Sequence, residues 1–278
     1  MLNITLNTLA KSILALSKLM FMIMKHVLIL ILFFTHSFLP AQTSFLQKQK
    51  QYSRVRTAIN EKDSLIKANL KKNHIKTGEL NILILVFKAE DKLEIYAKKK
   101  TTTEYKKISS YNICAKSGSL GPKRAQGDMQ VPEGFYYINR YNPYSSFYLS
   151  LGLNYPNASD IKKSKAADKG GDIFIHGDCV TIGCMPMTND KIKEIYLYAV
   201  YARNNGQNRI PVYIFPFKMT TQNLEIYSKK YANNKDLISF WSNLKSGYDK
   251  FEKEHKELKI NVDAKGNYLF LEKNIQYD

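Results

Sequence analysis

The sequence predicts a mainly β domain, a sandwich or barrel-like sheet, with helical additions at both ends. Three observations lead there. Between residues 80 and 217, short apolar or alternating runs are separated by Gly and Pro, the pattern of successive short strands. From Phe45 to Leu70, apolar residues recur at helical spacing. A third periodic stretch opens at Thr188, directly after a cluster of His, Cys and Gly.

In chain order, Phe45, Tyr52, Val55, Ile59, Ile66 and Leu70 fall on one face of an amphipathic helix that ends at Lys71-Lys72-Asn73. Ile82 to Phe87 is a continuous apolar run, as in a buried strand, and Leu93-Glu94-Ile95-Tyr96 alternates as a half-exposed one. Tyr105 to Ala115, Phe135 to Ile138, Phe147 to Leu151 and Asp172 to Ile175 also read as strands. Thr188 suits an N-cap for a helix with Ile192, Ile195, Tyr196, Ala199 and Val200 on one face. Ile210 to Phe217 reads as a strand whose Pro211 and Pro216 place it at an edge or an end of the sheet. A helix near Asp236 to Leu244 carries Trp241, and a hairpin follows around Asp263-Ala264-Lys265-Gly266. The expected division is 1–41 targeting segment, 42–78 helical extension, 79–217 main β domain and 218–278 C-terminal helix and hairpin. Trp241, Tyr248 and Phe251 are expected to fix that tail to the domain.

The 278 residues can bury a large core, and 44% hydrophobic with 24% charged residues is an ordinary globular mix. Eight Pro and 13 Gly are too few for a collagen-like or low-complexity chain. Charge is the anomaly, with 42 Lys+Arg against 24 Asp+Glu, a formal +18. Residues 1–41 contain Lys11, Lys18 and Lys25 and no acid. An apolar run from Val27 to Phe34 follows, then Leu39-Pro40-Ala41. A basic start, a short apolar run and a small residue describe a cleaved secretory signal. The uninterrupted run is shorter than the roughly 20 residues of a membrane span. Met24 offers an alternative start, which would place residues 1–23 outside the protein. Export to the periplasm or cell envelope implies membrane contact only in transit. It leaves an anionic wall polymer, rather than nucleic acid, as the partner of the basic surface. No zinc-finger, helix-turn-helix or RNP-like signature is present.

The chemistry sits in His176-Gly177-Asp178-Cys179-Val180-Thr181-Ile182-Gly183-Cys184. A His ending a strand and a Cys eight residues on can form a base and nucleophile, because the thiolate attacks and an imidazole can take the thiol proton. Gly183 permits close backbone approach, N–H groups beside Cys184 could stabilise an oxyanion, and the Gly177 carbonyl could orient the imidazole.

This block resembles the L,D-transpeptidase catalytic domain (YkuD) family, specifically its YafK-like branch, in the form His-Gly-x-Cys-x-Thr-x-Gly-Cys. Gly127-Asp128, Val131-Pro132-Glu133-Gly134-Phe135-Tyr136, Tyr148 to Leu151, Asn154-Tyr155-Pro156-Asn157 and Phe240 to Glu252 also match that branch. Ile182 stands where the wider family has a second histidine. The resemblance implies Cys184 as nucleophile, His176 as general base and later acid, Gly177 as orienting carbonyl, and the Gly183 and Cys184 N–H groups as oxyanion donors. Thr181 and Cys179 are supporting residues. It implies peptidoglycan stem peptides as substrate: Cys184 attacks the carbonyl of the third stem residue and expels D-Ala. An amine then takes the thioester to give 3→3 cross-links or D-Ala exchange. Water would instead make the enzyme an amidase that trims peptide or frees wall-attached protein.

Cys179 is read as a core thiol, with a disulfide to Cys184 or a supporting role as alternatives, and Cys114 as a core residue. Asp178 reads as a turn acid rather than a third catalytic member. A zinc site from His176, Cys179 and Cys184, and an inactive wall-binding module, are the rival classes. No metal or cofactor is expected under the leading reading.

Overall fold

The computed structural model describes residues 11, 13–27 and 43–272. The chain divides into two units, Met1–Thr43 and Ser44–Asp278. In the first, residues 13–27 are helical with exposed side chains. The rest of the apolar run to Phe34 and the Leu39-Pro40-Ala41 stretch lie outside the described residues. No helix among the described residues is long and apolar enough to cross a membrane.

The second unit opens with two helices where the sequence predicts one, α1 (Phe45–Lys50) and α2 (Ser53–Lys72). Tyr52 between them is extended, and Arg56 donates to the carbonyls of Lys50 and Gln51, satisfying the acceptors that the break frees. Strands β1 (Leu80–Phe87), β2 (Lys92–Lys99) and β3 (Lys106–Asn112) form a meander. Next come β4 (Gly134–Asn142), β5 (Ser150–Leu153), helix α3 (Ala158–Lys163), β6 (Phe174–His176), β7 (Met185–Pro186), helix α4 (Asn189–Asn204) and β8 (Ile210–Phe215). Thr188 caps α4 as expected, its side chain accepting from the Lys191 N–H.

These strands make one curled eight-stranded sheet in the order β3-β2-β1-β8-β4-β5-β6-β7. Successive side chains of a strand point to opposite faces, and β1 uses both. Ile82, Ile84 and Val86 join a core beneath α2 and α4. Leu83, Leu85 and Phe87 join a second core on the other face. That explains the unbroken apolar run of β1, since a strand covered on both sides has no polar face.

The placement of the Ile210–Phe217 strand at an edge or end needs correcting, because β8 lies in mid-sheet between β1 and β4. Pro211 is accommodated where no donor is required. The parallel ladder with β1 starts one residue later, at Val212. Opposite Pro211 stands Tyr137, whose N–H and C=O are both taken by Asn154. Pro216 falls just past the strand's end.

The second core is closed by the C-terminal tail: α5 (Thr221–Lys230), α6 (Lys235–Glu254) and a hairpin of β9 (Ile260–Val262) and β10 (Tyr268–Phe270). Trp241, Phe251 and Tyr248 are buried in it. Beneath α6 lies Glu133, fully buried. Its Oε1 accepts from Lys88 Nζ at 2.9 Å and the Gly121 N–H at 2.7 Å, and its Oε2 accepts from Trp241 Nε1 at 2.9 Å. Removing one member of a buried ion pair strands the other. Glu133→Ala is therefore expected to cost about 3–5 kcal/mol in chemical denaturation. Adding Lys88→Met should recover part of that loss, because no orphan charge is left.

Candidate active site

Strand β6 pairs with β5 on one side and the two-residue β7 on the other, so His176 sits beside Pro186 and Cys184 ends the loop entering β7. His176 is almost completely buried. Its Nδ1 lies 2.5 Å from the Gly177 carbonyl oxygen. A carbonyl can only accept, so Nδ1 carries the ring proton and Nε2 is left as the basic nitrogen. The Phe147 ring packs against the imidazole, with centroids 4.6 Å apart. The Gly177 N–H donates to the carbonyls of Phe147 and Leu149. A Cβ on Gly177 would meet Asn189 Oδ1 at 2.3 Å and the Phe147 carbonyl at 2.9 Å, so only glycine fits this clamp.

Cys184 is the free cysteine. Its thiol faces the Asp172 carbonyl at 3.7 Å, and it shares a cavity of about 610 Å³ with His176, Thr181, Arg140 and Asp172. Burial pushes the Cys184 thiol above its ordinary 9.0. The Phe174 N–H and the Lys123 charge pull the other way, and the Asp172 charge adds to the rise. Burial also depresses the His176 imidazole below 6.5, opposed by its bond to the Gly177 carbonyl and by the Asp178 charge. The resting pair is thus neutral thiol and neutral imidazole.

Thr181 organises the loop before the thiol. Its Oγ1 accepts from the Gly183 N–H at 3.1 Å and the Cys184 N–H at 2.8 Å, and donates to the Cys184 carbonyl at 2.9 Å. Both N–H groups that the resemblance assigns to an oxyanion are therefore engaged with this hydroxyl. Gly183 has φ +138°, and a Cβ there would press on the Gln130 carbonyl at 3.2 Å. Ile182, at the second-histidine position, is 78% exposed. Asp178 exchanges two hydrogen bonds with the side chain of Asn189 at the start of α4, fitting the turn role expected of it.

The readings of Cys179 and Cys114 as core thiols are corrected. The two form a disulfide, with Cα atoms 5.3 Å apart and a separation of 65 positions in sequence. Cys179 is exposed, not packed in a core, and its partner is not Cys184. The bond ties the site loop to the segment after β3. It also takes one of the three ligands from the zinc alternative, since a disulfide sulfur is not a thiolate donor. Arg140, Asp172, Lys123 and the Phe174 N–H were not singled out from sequence. Arg140 and Asp172 carry an ion pair at 2.8 Å over the cavity, and no local motif marks them.

A curled sheet whose edge sets a carbonyl-clamped imidazole and a free thiol in one cavity defines a class, the Cys/His site suited to acyl transfer. Residues 81–214 match the L,D-transpeptidase catalytic domain (YkuD). Over 190 residues the chain is 41% identical to YafK of Escherichia coli K12, a protein named as an L,D-transpeptidase, spanning 68% of this chain and 73% of that one. The chain belongs to the YkuD L,D-transpeptidase family. Among solved structures it is similar to the helical cell shape determining protein Pgp2 of Campylobacter jejuni (TM-score 0.39, 18% identity, 67% of this chain and 74% of that one). It is also similar to Bd1075 of Bdellovibrio bacteriovorus (TM-score 0.36, 23% identity, 66% and 75%).

Two outcomes are expected. Alkylation of Cys184 by iodoacetamide should rise with pH in two steps. The first follows loss of the His176 proton, with a midpoint below 6.5, because only the neutral imidazole can accept the thiol proton. The second has its midpoint above 9.0, where the thiol ionises unaided, and His176→Ala should abolish the first step alone. Replacing Cys114 and Cys179 by Ser should cost about 4 kcal/mol in chemical denaturation, from the loop closure the bond provides.

Proposed function

We propose that the protein is an exported cysteine L,D-transpeptidase acting on peptidoglycan stem peptides in the periplasm or cell envelope. The observation that carries this reading is the shared cavity of the free Cys184 thiol and the His176 imidazole, whose Nδ1 the Gly177 carbonyl holds. In the forward half-reaction, Nε2 of His176 takes the Cys184 proton as Sγ attacks the carbonyl carbon of the third stem residue. The C–S bond forms, the C–N bond to the terminal D-Ala breaks, and the departing amine leaves with the proton from His176. In the second half, His176 takes a proton from an incoming amine as it attacks the thioester; the C–N bond forms, the C–S bond breaks, and the proton passes from His176 to the departing Cys184 sulfur. The signal-like N-terminus supplies export, and the basic surface suits an anionic wall.

Incubation with tetrapeptide-bearing muropeptides should give 3→3 cross-links or exchanged D-Ala, read by mass spectrometry. A thioester adduct on Cys184 should be trapped on the way. Cys184→Ala should remove both adduct and product, and His176→Ala should lower turnover by at least about 10²-fold, the usual scale of a lost general base. A wild-type protein giving neither adduct nor product overturns the reading, whereas D-Ala release without cross-linking assigns the hydrolytic branch.

A further inference from the structure

Cys184 lines two chambers. One is the cavity of about 610 Å³ that holds His176. The other, of about 250 Å³, is lined by Val86, Ile113, the segment from Ala115 to Leu120, Tyr227 and Lys230 of α5, and Tyr231 just past its end. Cys184 is the residue common to both linings. The wall formed by α5 lies beyond the matched catalytic domain, which ends at residue 214. It is anchored by aromatic contact, with Tyr227 stacked on Phe217 at 4.1 Å and Tyr231 edge-on to Trp241 at 5.1 Å.

The charges of this smaller chamber are not equivalent. Lys88 is held by Glu133 and Lys116 by Asp91, at 2.9 and 2.7 Å. Among the described residues, Lys230 is the lining lysine with no carboxylate within ion-pair distance; its Nζ lies 6.0 Å from the Tyr231 ring centroid. A base must reach the nitrogen that leaves and the nitrogen that arrives, so both belong on the His176 side. The acyl portion kept on sulfur is left with the other chamber. Its volume falls just below the roughly 300 Å³ where small-molecule pockets begin, enough for a short peptide segment or side chain and too little for a glycan.

We infer that α5 forms the acyl-donor wall of the nucleophile and that Lys230 is its specificity residue, pairing with a carboxylate on the acyl segment. The assignment to the donor rests on the proposed function; the preference for an anion does not. Lys230→Glu should raise KM about tenfold for a tetrapeptide donor with free side-chain carboxylates, the loss appearing in KM rather than kcat. For the donor with those carboxylates amidated, variant and wild type should converge. Lys230→Arg should restore the carboxylate preference, and Lys229→Glu, one position along α5 and outside the lining, serves as the charge control. Independently of turnover, iodoacetate should lose rate against Cys184 relative to neutral iodoacetamide in Lys230→Glu, by about two- to fivefold, the scale of an exposed ion pair. Equal effects on both donors, or an unchanged reagent ratio beside normal turnover, overturn the inference and leave the proposed function standing. A falling reagent ratio in a protein that turns over no stem peptide does the reverse.

Discussion

A buried carboxylate holds this molecule together. Glu133 sits in the turn into β4 with no exposure to solvent, and its acceptors are taken by three groups far apart in sequence: Lys88 past β1, the Gly121 N–H, and the Trp241 indole of α6. An apolar side chain there could pack as well, and buried ion pairs are weak sources of net stability. What the carboxylate supplies is registry, since three donors must converge on two oxygens. Lys88 reinforces it with further bonds to the Gly121 and Val131 carbonyls. Through Trp241, the same knot sets the position of the aromatic stack carrying α5, so the wall beside Cys184 depends on a contact beneath the sheet.

At the site itself, a peptide carbonyl stands where many triads place a carboxylate. The substitution has an electrostatic consequence. A carbonyl dipole fixes the tautomer as well as a carboxylate does, but it stabilises an imidazolium less than a full charge would. With burial dominant, both partners rest neutral. On the proposed mechanism the thiol then stays quiet until a substrate brings sulfur, proton and base into line. The other two cysteines, joined to each other, cannot capture it.

Local signals made much of this legible. The unbroken run of Ile82 to Phe87, the Thr188 cap and the His176–Cys184 block each carry their meaning within a few residues, and each is found where the sequence placed it. What failed depended on distant partners. Pro211 misled because proline is costly only where a donor is needed, and Asn154 removes that need from across the sheet. Cys114 and Cys179 read as isolated thiols because nothing in either segment announces the other. The break between α1 and α2 depends on Arg56 reaching back to two carbonyls, which the apolar spacing of that stretch does not register.

Thr181 shows how a loop can hold donors ready without leaving them unsatisfied. An unpaired buried N–H is costly, and the Gly183 and Cys184 N–H groups avoid that cost by converging on one hydroxyl oxygen. That convergence is also the geometry an oxyanion requires. A developing negative charge is a stronger acceptor than a neutral hydroxyl, so on the proposed mechanism it would compete for the same two donors. Thr181 would keep its own donation to the Cys184 carbonyl. Gly183 holds a positive backbone angle that other residues resist. The disulfide at Cys179 and the Asp178–Asn189 pair fix its other end.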